Sequence, residues 1–175
     1  MRQAQTLNEA QLRRVIQYCR SRRHPTRDQT IILFSFYAGL RAKEIAALKR
    51  GDVFDDEGNA RTQFTLSAEQ SKGGKTRTVY LNQRLRRALM DYAAGLNLRD
   101  PNRALFESQK GDHFSANTMC QLFLDIYKAV GLKDALAIRD AELTLHGWQI
   151  RAWAFDCWRN WRGIHIFPPR NATST

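Results

Sequence analysis

The sequence predicts a mainly α-helical domain carrying one small antiparallel β-sheet, and three features predict it. Apolar residues recur at helical spacing in five separate stretches, two short alternating segments flank a glycine-bearing turn, and neither a repeat nor a low-complexity tract interrupts them. Hydrophobic residues make up 43% of the 175 and charged ones 26%, which is enough to bury a real core and too apolar for a disordered chain.

A first amphipathic helix is expected to start at Thr6, which forms a capping box with Glu9, and to run to about residue 22. Leu12, Val15, Ile16 and Cys19 give it an apolar stripe. Pro25-Thr26, with Gln29 three residues beyond Thr26, starts a second helix that is apolar nearly all round over residues 31–37 and stops at Gly39, as a buried central helix does. Residues 42–49 resume helical spacing through Ile45, Ala46 and Leu48, and Gly51 suits a left-handed cap. The run Asp55-Asp56-Glu57-Gly58-Asn59 is a turn, after which residues 63–66 and 76–81 alternate as half-buried strands. Ser71-Lys72-Gly73-Gly74-Lys75 supplies the glycines of a hairpin between them. Asn82 caps a helix carrying Leu85, Leu89 and Tyr92, and Ser115 caps another carrying Cys120, Leu122, Phe123, Ile126 and Val130 before Gly131. All four tryptophans then fall between residues 148 and 161, followed by Pro168-Pro169 and a polar tail. That segment differs in composition from the rest.

Lys and Arg number 28 against 17 acids, a net charge of +11, which is the footprint of a polyanion binder. The excess is concentrated early: residues 1–100 carry 19 basic and 10 acidic side chains, residues 101–175 only 9 and 7. Three scattered cysteines make neither a disulfide framework nor a metal site, and a reducing cytoplasm suits them. The longest apolar run, residues 31–40, is too short to span a bilayer, and the first residues carry no signal-peptide pattern.

Three segments can carry chemistry. Arg41 follows the end of a buried helix with Glu44 three residues on, close enough to orient a guanidinium that clamps phosphate through two parallel hydrogen bonds. An ordinary surface arginine at a helix junction would read the same. From Lys72 to Arg87 there are six basic residues (Lys72, Lys75, Arg77, Arg84, Arg86, Arg87) and no acid, so the run can follow a phosphate backbone or serve as a solvated turn. His146-Gly147, entering a helix, offers a proton shuttle or phosphate donor, although a lone histidine is more often a surface residue.

Taken in order, Ala38-Gly39-Leu40-Arg41-Ala42-Lys43-Glu44-Ile45, then the hairpin from Lys72 through Lys75, Arg77 and Val79 to Leu81, and Leu145-His146-Gly147 resemble the catalytic domain of tyrosine recombinases, the phage-integrase family. The resemblance covers about residues 6–147. It implies a mainly helical domain with a three-stranded sheet that cuts and rejoins double-stranded DNA without metal or nucleotide cofactor. In that family a tyrosine attacks the scissile phosphate to give a 3′-phosphotyrosyl link, two arginines and a histidine stabilise the charge, and a hairpin lysine protonates the leaving 5′ oxygen. Carried over, Arg41 corresponds to the first catalytic arginine, Glu44 to its acidic companion, Lys72 to the general acid and His146 to the start of the His-x-x-Arg box. Lys75 and Arg77 correspond to DNA-backbone contacts, and Arg84, on the same basic run, is expected to bind DNA with them.

The chain departs from that pattern at its end. Position 149 is Gln, and the nearest arginine, Arg151, would point away on a helix, since i+3 and i+5 differ by about 200°. No tyrosine follows Tyr127, and Gly163-Ile164-His165 is a faint echo of the family's later Leu-Gly-His segment. The expectation is a recombinase-like domain over residues 1–147, incomplete at its C-terminus, with residues 148–175 replacing the usual last helices through truncation or a reading-frame change. Such a protein binds DNA, alone or as a homo-oligomer on it, in the cytoplasm at the nucleoid, without forming the covalent link. Three other readings stay open: an active strand-exchange enzyme with a partner-supplied nucleophile, a poorly folded fragment, and a generic basic nucleic-acid-binding domain.

Overall fold

The computed structural model describes residues 7–71, 75–109 and 113–132, together with the backbone of 144–145 and 148–149. Its order is α1 (Glu9–Arg20), α2 (Pro25–Ala38), α3 (Ala42–Ala46), α4 (Arg50–Val53), β1 (Gln63–Leu66), β2 (Arg77–Tyr80), α5 (Gln83–Ala93), α6 (Ala116–Ala129), β3 (Thr144–Leu145) and β4 (Trp148–Gln149).

Most boundaries follow local chemistry. Asn82 and Ser115 cap α5 and α6 by accepting the amides of Leu85 and Thr118 at 2.9 and 3.1 Å. Gly39 ends α2 at φ 61°, a left-handed backbone that glycine adopts without penalty. Three helix boundaries differ from expectation. Helix α1 is capped by Asn8, which exchanges reciprocal hydrogen bonds with Gln11, and not by Thr6, which lies outside the described residues. It also stops at Arg20, which leaves Arg22 to pair with Asp28 at 2.7 Å. Gly51 is no left-handed cap: it sits inside α4, where its amide donates to the Pro101 carbonyl at 2.9 Å and an added Cβ would lie 2.9 Å from the Pro101 side chain. Helix α3 accordingly ends three residues early, since residues 48–51 pair instead with residues 101–105.

Helix α2 runs through the core. Its Ile31, Ile32, Phe34 and Ala38 are buried and packed among α1, α3 and α5, with Phe34 edge-on to Phe106 at 5.9 Å. Its first turn also buries charge. Asp28, 1% exposed, accepts hydrogen bonds from Arg22 and Arg27 at 2.7–3.0 Å, and Arg27 also donates to the Glu107 carbonyl and stacks on Phe114. Arg50, 2% exposed, pairs with Glu107 at 2.7 Å and donates to the Asn97 carbonyl. Such charges are tolerated inside only when paired and hydrogen-bonded.

Strands β1 and β2 pair antiparallel with Phe64 opposite Val79 and Leu66 opposite Arg77, placing Phe64, Leu66 and Val79 in the core. Their connection spans residues 67–76, one residue more than the expected strands 63–66 and 76–81 leave between them. Among the described residues the sheet has two strands, not the three that the family resemblance implies; β3 and β4 form a separate pair. Trp148 and Gln149, expected on a helix, lie in β4.

Candidate functional site

The junction after α2 places Arg41. Gly39 reverses the chain, Leu40 anchors it in the core, and Arg41 becomes the N-cap of α3 with extended backbone at φ −77°, ψ 156°. Its amide donates to Glu44 Oε2 at 2.9 Å. The same oxygen accepts Arg77 Nη2 from β2 at 2.8 Å. Glu44 is buried, whereas the Arg77 side chain is 41% exposed.

This corrects the expected pairing. Glu44 holds the backbone of Arg41 and the guanidinium of Arg77, not the guanidinium of Arg41. A carboxylate three residues into a helix reaches back to the N-cap amide, and that geometry takes the oxygen first. Arg41 is half-buried as a residue, and its guanidinium makes no hydrogen bond or ion pair among the described residues. Lys75, at the foot of β2, is exposed and makes no ion pair among the described residues. Arg41, Glu44 and Arg77 are therefore brought together, with Lys75 two residues from Arg77.

Arg84 belongs to another neighbourhood. It donates to the Tyr37 hydroxyl at 2.9 Å, pairs with Glu9 at 3.5 Å and lines a cleft of about 540 Å³ with Leu12, Ile16 and Leu33. A larger cleft of about 770 Å³, between the 55–58 turn and residues 96–101, contains none of the candidate residues. Lys72 and His146 lie outside the described residues, as do Arg151, Gly163, Ile164, His165 and the rest of 150–175.

All five tyrosines of the chain are described, and among the described residues no hydrogen bond joins Tyr18, Tyr37, Tyr80 or Tyr92 to Arg41. Tyr92 donates to the Leu105 carbonyl at 3.1 Å, and burial pushes its phenol up to about 12. Tyr127 is fully buried, which raises its phenol well above the ordinary value. Tyr37 is engaged by Arg84, and Tyr18 lies under Arg22. Tyr80 is 62% exposed on β2, but three residues from Arg77 on a strand means the opposite face of the sheet. Among the described residues no group of three or more His, Cys, Asp or Glu could hold a metal ion, and no helix is long and apolar enough to cross a membrane.

Sequence reasoning missed Gln70, which bonds to Ser67, Ala47 and Asp52 at the start of the β1–β2 connection. The signal was present in Ser67-Ala68-Glu69-Gln70, a Ser-x-x-Gln capping pattern outside any long helix.

The family profile described as the phage integrase family matches residues 5–157. The chain belongs to the phage integrase family. The match continues ten residues past Gly147. No curated protein matches the chain. Two solved structures share the fold of this phage-integrase-family chain. The XerA recombinase aligns with a TM-score of 0.57 at 24% identity over 75% of this chain and 45% of its own. The integrase of transposon Tn1549, solved with circular-intermediate DNA, aligns with a TM-score of 0.57 at 16% identity over 90% of this chain and 54% of its own. The chain thus spans about half the length of these two structures. Both likenesses bear out the mainly helical recombinase-domain fold.

Proposed function

We propose that this chain binds duplex DNA along the face carrying Arg41, Lys75 and Arg77 and does not itself form a covalent phosphotyrosyl link. The observation that carries this reading is Arg41, a half-buried residue fixed at its backbone by Glu44 while its guanidinium is unpartnered among the described residues. A planar guanidinium held this way has two parallel N–H donors for the non-bridging oxygens of a phosphodiester. Lys75 and Arg77 add charge along the same backbone and release counterions.

In the family's chemistry, phosphoryl transfer rests on positioning and charge stabilisation. Arg41 supplies a preorganised donor, Glu44 positions it, and Lys72 and His146 take the general-acid and phosphate-donor roles. What is missing is a phenol. Losing one donor typically costs about 10² to 10³ in rate, whereas losing the nucleophile removes the covalent path. Tyr92 and Tyr127 are buried and hold their protons, Tyr37 is tied to Arg84, and Tyr80 lies on the sheet face opposite Arg77.

The test is a denaturing gel with end-labelled, nicked duplex DNA at protein concentrations that saturate binding. No protein-linked band should form between pH 6 and 9. A band that disappears in a single Tyr-to-Phe variant, with Tyr80→Phe tried first, would overturn the non-covalent reading. Absence of duplex binding at low salt would overturn the reading as a whole.

A further inference from the structure

The geometry points to Gln70 as a positioning residue: the segment joining β1 to β2 is tied to helix α3 at both ends, and Gln70 makes the tie at its leading end. The inference rests on the proposed DNA face.

The leading tie begins as a self-contained turn. Ser67 donates its amide to Gln70 Oε1 at 3.0 Å, Gln70 returns its amide to Ser67 Oγ at 3.3 Å, and the Ser71 amide closes on the Ser67 carbonyl at 3.0 Å. With Oε1 used, the two hydrogens on Gln70 Nε2 go elsewhere, to the Ala47 carbonyl at 3.0 Å and to Asp52 Oδ2 at 2.8 Å. Ala47 is the C-cap of α3, where a helix leaves carbonyls in need of donors. Asp52 meanwhile accepts the Lys49 amide that opens α4, at 2.8 Å. One side chain therefore joins the turn, the end of α3 and the start of α4.

The trailing tie is the bond from Arg77 to Glu44, inside the same helix. Five residues of α3 span only about 7.5 Å at 1.5 Å each, so the two ties sit close together and share one rigid body with Arg41. Lys75, exposed and two residues before Arg77, is within about 7 Å of it along an extended chain. Fixing both ends restricts where that ammonium group can stand relative to the Arg41 guanidinium.

The residue type is constrained. The position needs one acceptor and two donors on one side chain, which a primary amide provides and a carboxylate does not. Gln70→Glu keeps an oxygen for the Ser67 amide but presents acceptors to the Ala47 carbonyl and a like charge to Asp52. It therefore breaks the tie while keeping all three bonds of the turn, and Gln70→Ala removes the tie together with the turn's Oε1 bond.

The experiment measures duplex affinity of the full chain by fluorescence anisotropy at fixed low salt, for Gln70→Ala, Gln70→Glu, Lys75→Ala and the Gln70→Ala/Lys75→Ala pair. Each Gln70 variant should weaken binding roughly threefold to tenfold, the size expected when a segment must be ordered on association. In the Lys75→Ala background Gln70→Ala should cost less than about twofold, because the group it positions is gone. Fully additive losses, or Gln70→Glu binding like the parent, would overturn the positioning role. If the parent fails to bind duplex DNA, the DNA reading fails, and amide exchange still tests the tie itself. Residues 71 and 75–80 should exchange at least tenfold faster in Gln70→Glu while α2 is unchanged; equal protection overturns the inference.

Discussion

Removing the Glu44 carboxylate tests whether one buried oxygen braces the α2–α3 junction to β2. Glu44→Ala orphans the Arg41 amide, which loses a 2.9 Å part-buried hydrogen bond, at a cost of about 1–3 kcal/mol. The ion pair to Arg77 adds at most about 1 kcal/mol, because that side chain is 41% exposed and recovers water when released. The sum centres near 2–3 kcal/mol. Glu44→Gln keeps a carbonyl oxygen for the Arg41 amide and gives up only the charge, so it should cost less than about 1 kcal/mol. Arg77→Ala leaves the buried Glu44 carboxylate without its cation, so it should cost more than Glu44→Gln, up to about 3 kcal/mol. Urea unfolding with a common m-value measures all three, and in a thermal melt 2–3 kcal/mol corresponds to about 4–12 °C for a chain of this length. Glu44→Gln as damaging as Glu44→Ala would mean that the ion pair and not the amide bond holds the junction. A loss under about 0.5 kcal/mol for Glu44→Ala would remove the brace altogether.

Three further outcomes are expected. Gly51→Ala places a Cβ 2.9 Å from the Pro101 side chain and should cost about 1–3 kcal/mol in urea unfolding through overpacking, and a neutral substitution would show that residues 101–105 do not pack as described. Burial pushes the Cys19 thiol from 9.0 up to about 12, so it should resist alkylation at pH 8 until the chain unfolds. Because the folded thiol holds its proton more tightly than the unfolded one, its contribution to stability is intact below pH 9 and lost as pH rises through about 12; fast native-state labelling of Cys19 by mass spectrometry would contradict this. Duplex affinity should fall with salt at a log–log slope of about −4 to −5, for roughly four to six phosphate contacts, and Lys75→Glu/Arg77→Glu should weaken all sequences alike; a salt-independent affinity or a sequence-selective loss would reject the electrostatic model.

The elements that were legible in the sequence are those whose ends are written locally. Pro25 with Gly39, Asn82, Ser115 and Gly131 each solve a cap problem with residues a few positions apart, and α2, α5 and α6 begin or end where those residues stand. The start of α1 shifted because two local solutions compete, and Asn8 with Gln11 lies nearer the buried stripe of Leu12, Val15 and Cys19 than Thr6 with Glu9 does. Gly51 was misread for a different reason. Glycine serves either a left-handed backbone or a close approach, and only the position of Pro101, fifty residues away, decides between them. The buried arginines Arg27 and Arg50 are equally invisible beforehand, since Glu107, which takes a hydrogen bond from each, is remote in sequence.

The site divides along the same line. Residue types at Arg41, Glu44, Lys75 and Arg77 were legible from spacing and charge, but their partnerships were not. Spacing of three residues suggested a pair of side chains, whereas the N-cap position of Arg41 sends Glu44 to the backbone amide instead. Once that amide has claimed Glu44 Oε2, the same oxygen can still take Arg77 from 33 residues away, since a carboxylate oxygen accepts more than one donor. Both bonds satisfy the carboxylate without using the Arg41 guanidinium. The fold thereby fixes the arginine by its backbone and leaves its guanidinium unpaired among the described residues, and a side-chain pair of the kind first expected would have occupied the donors that the proposed function assigns to phosphate.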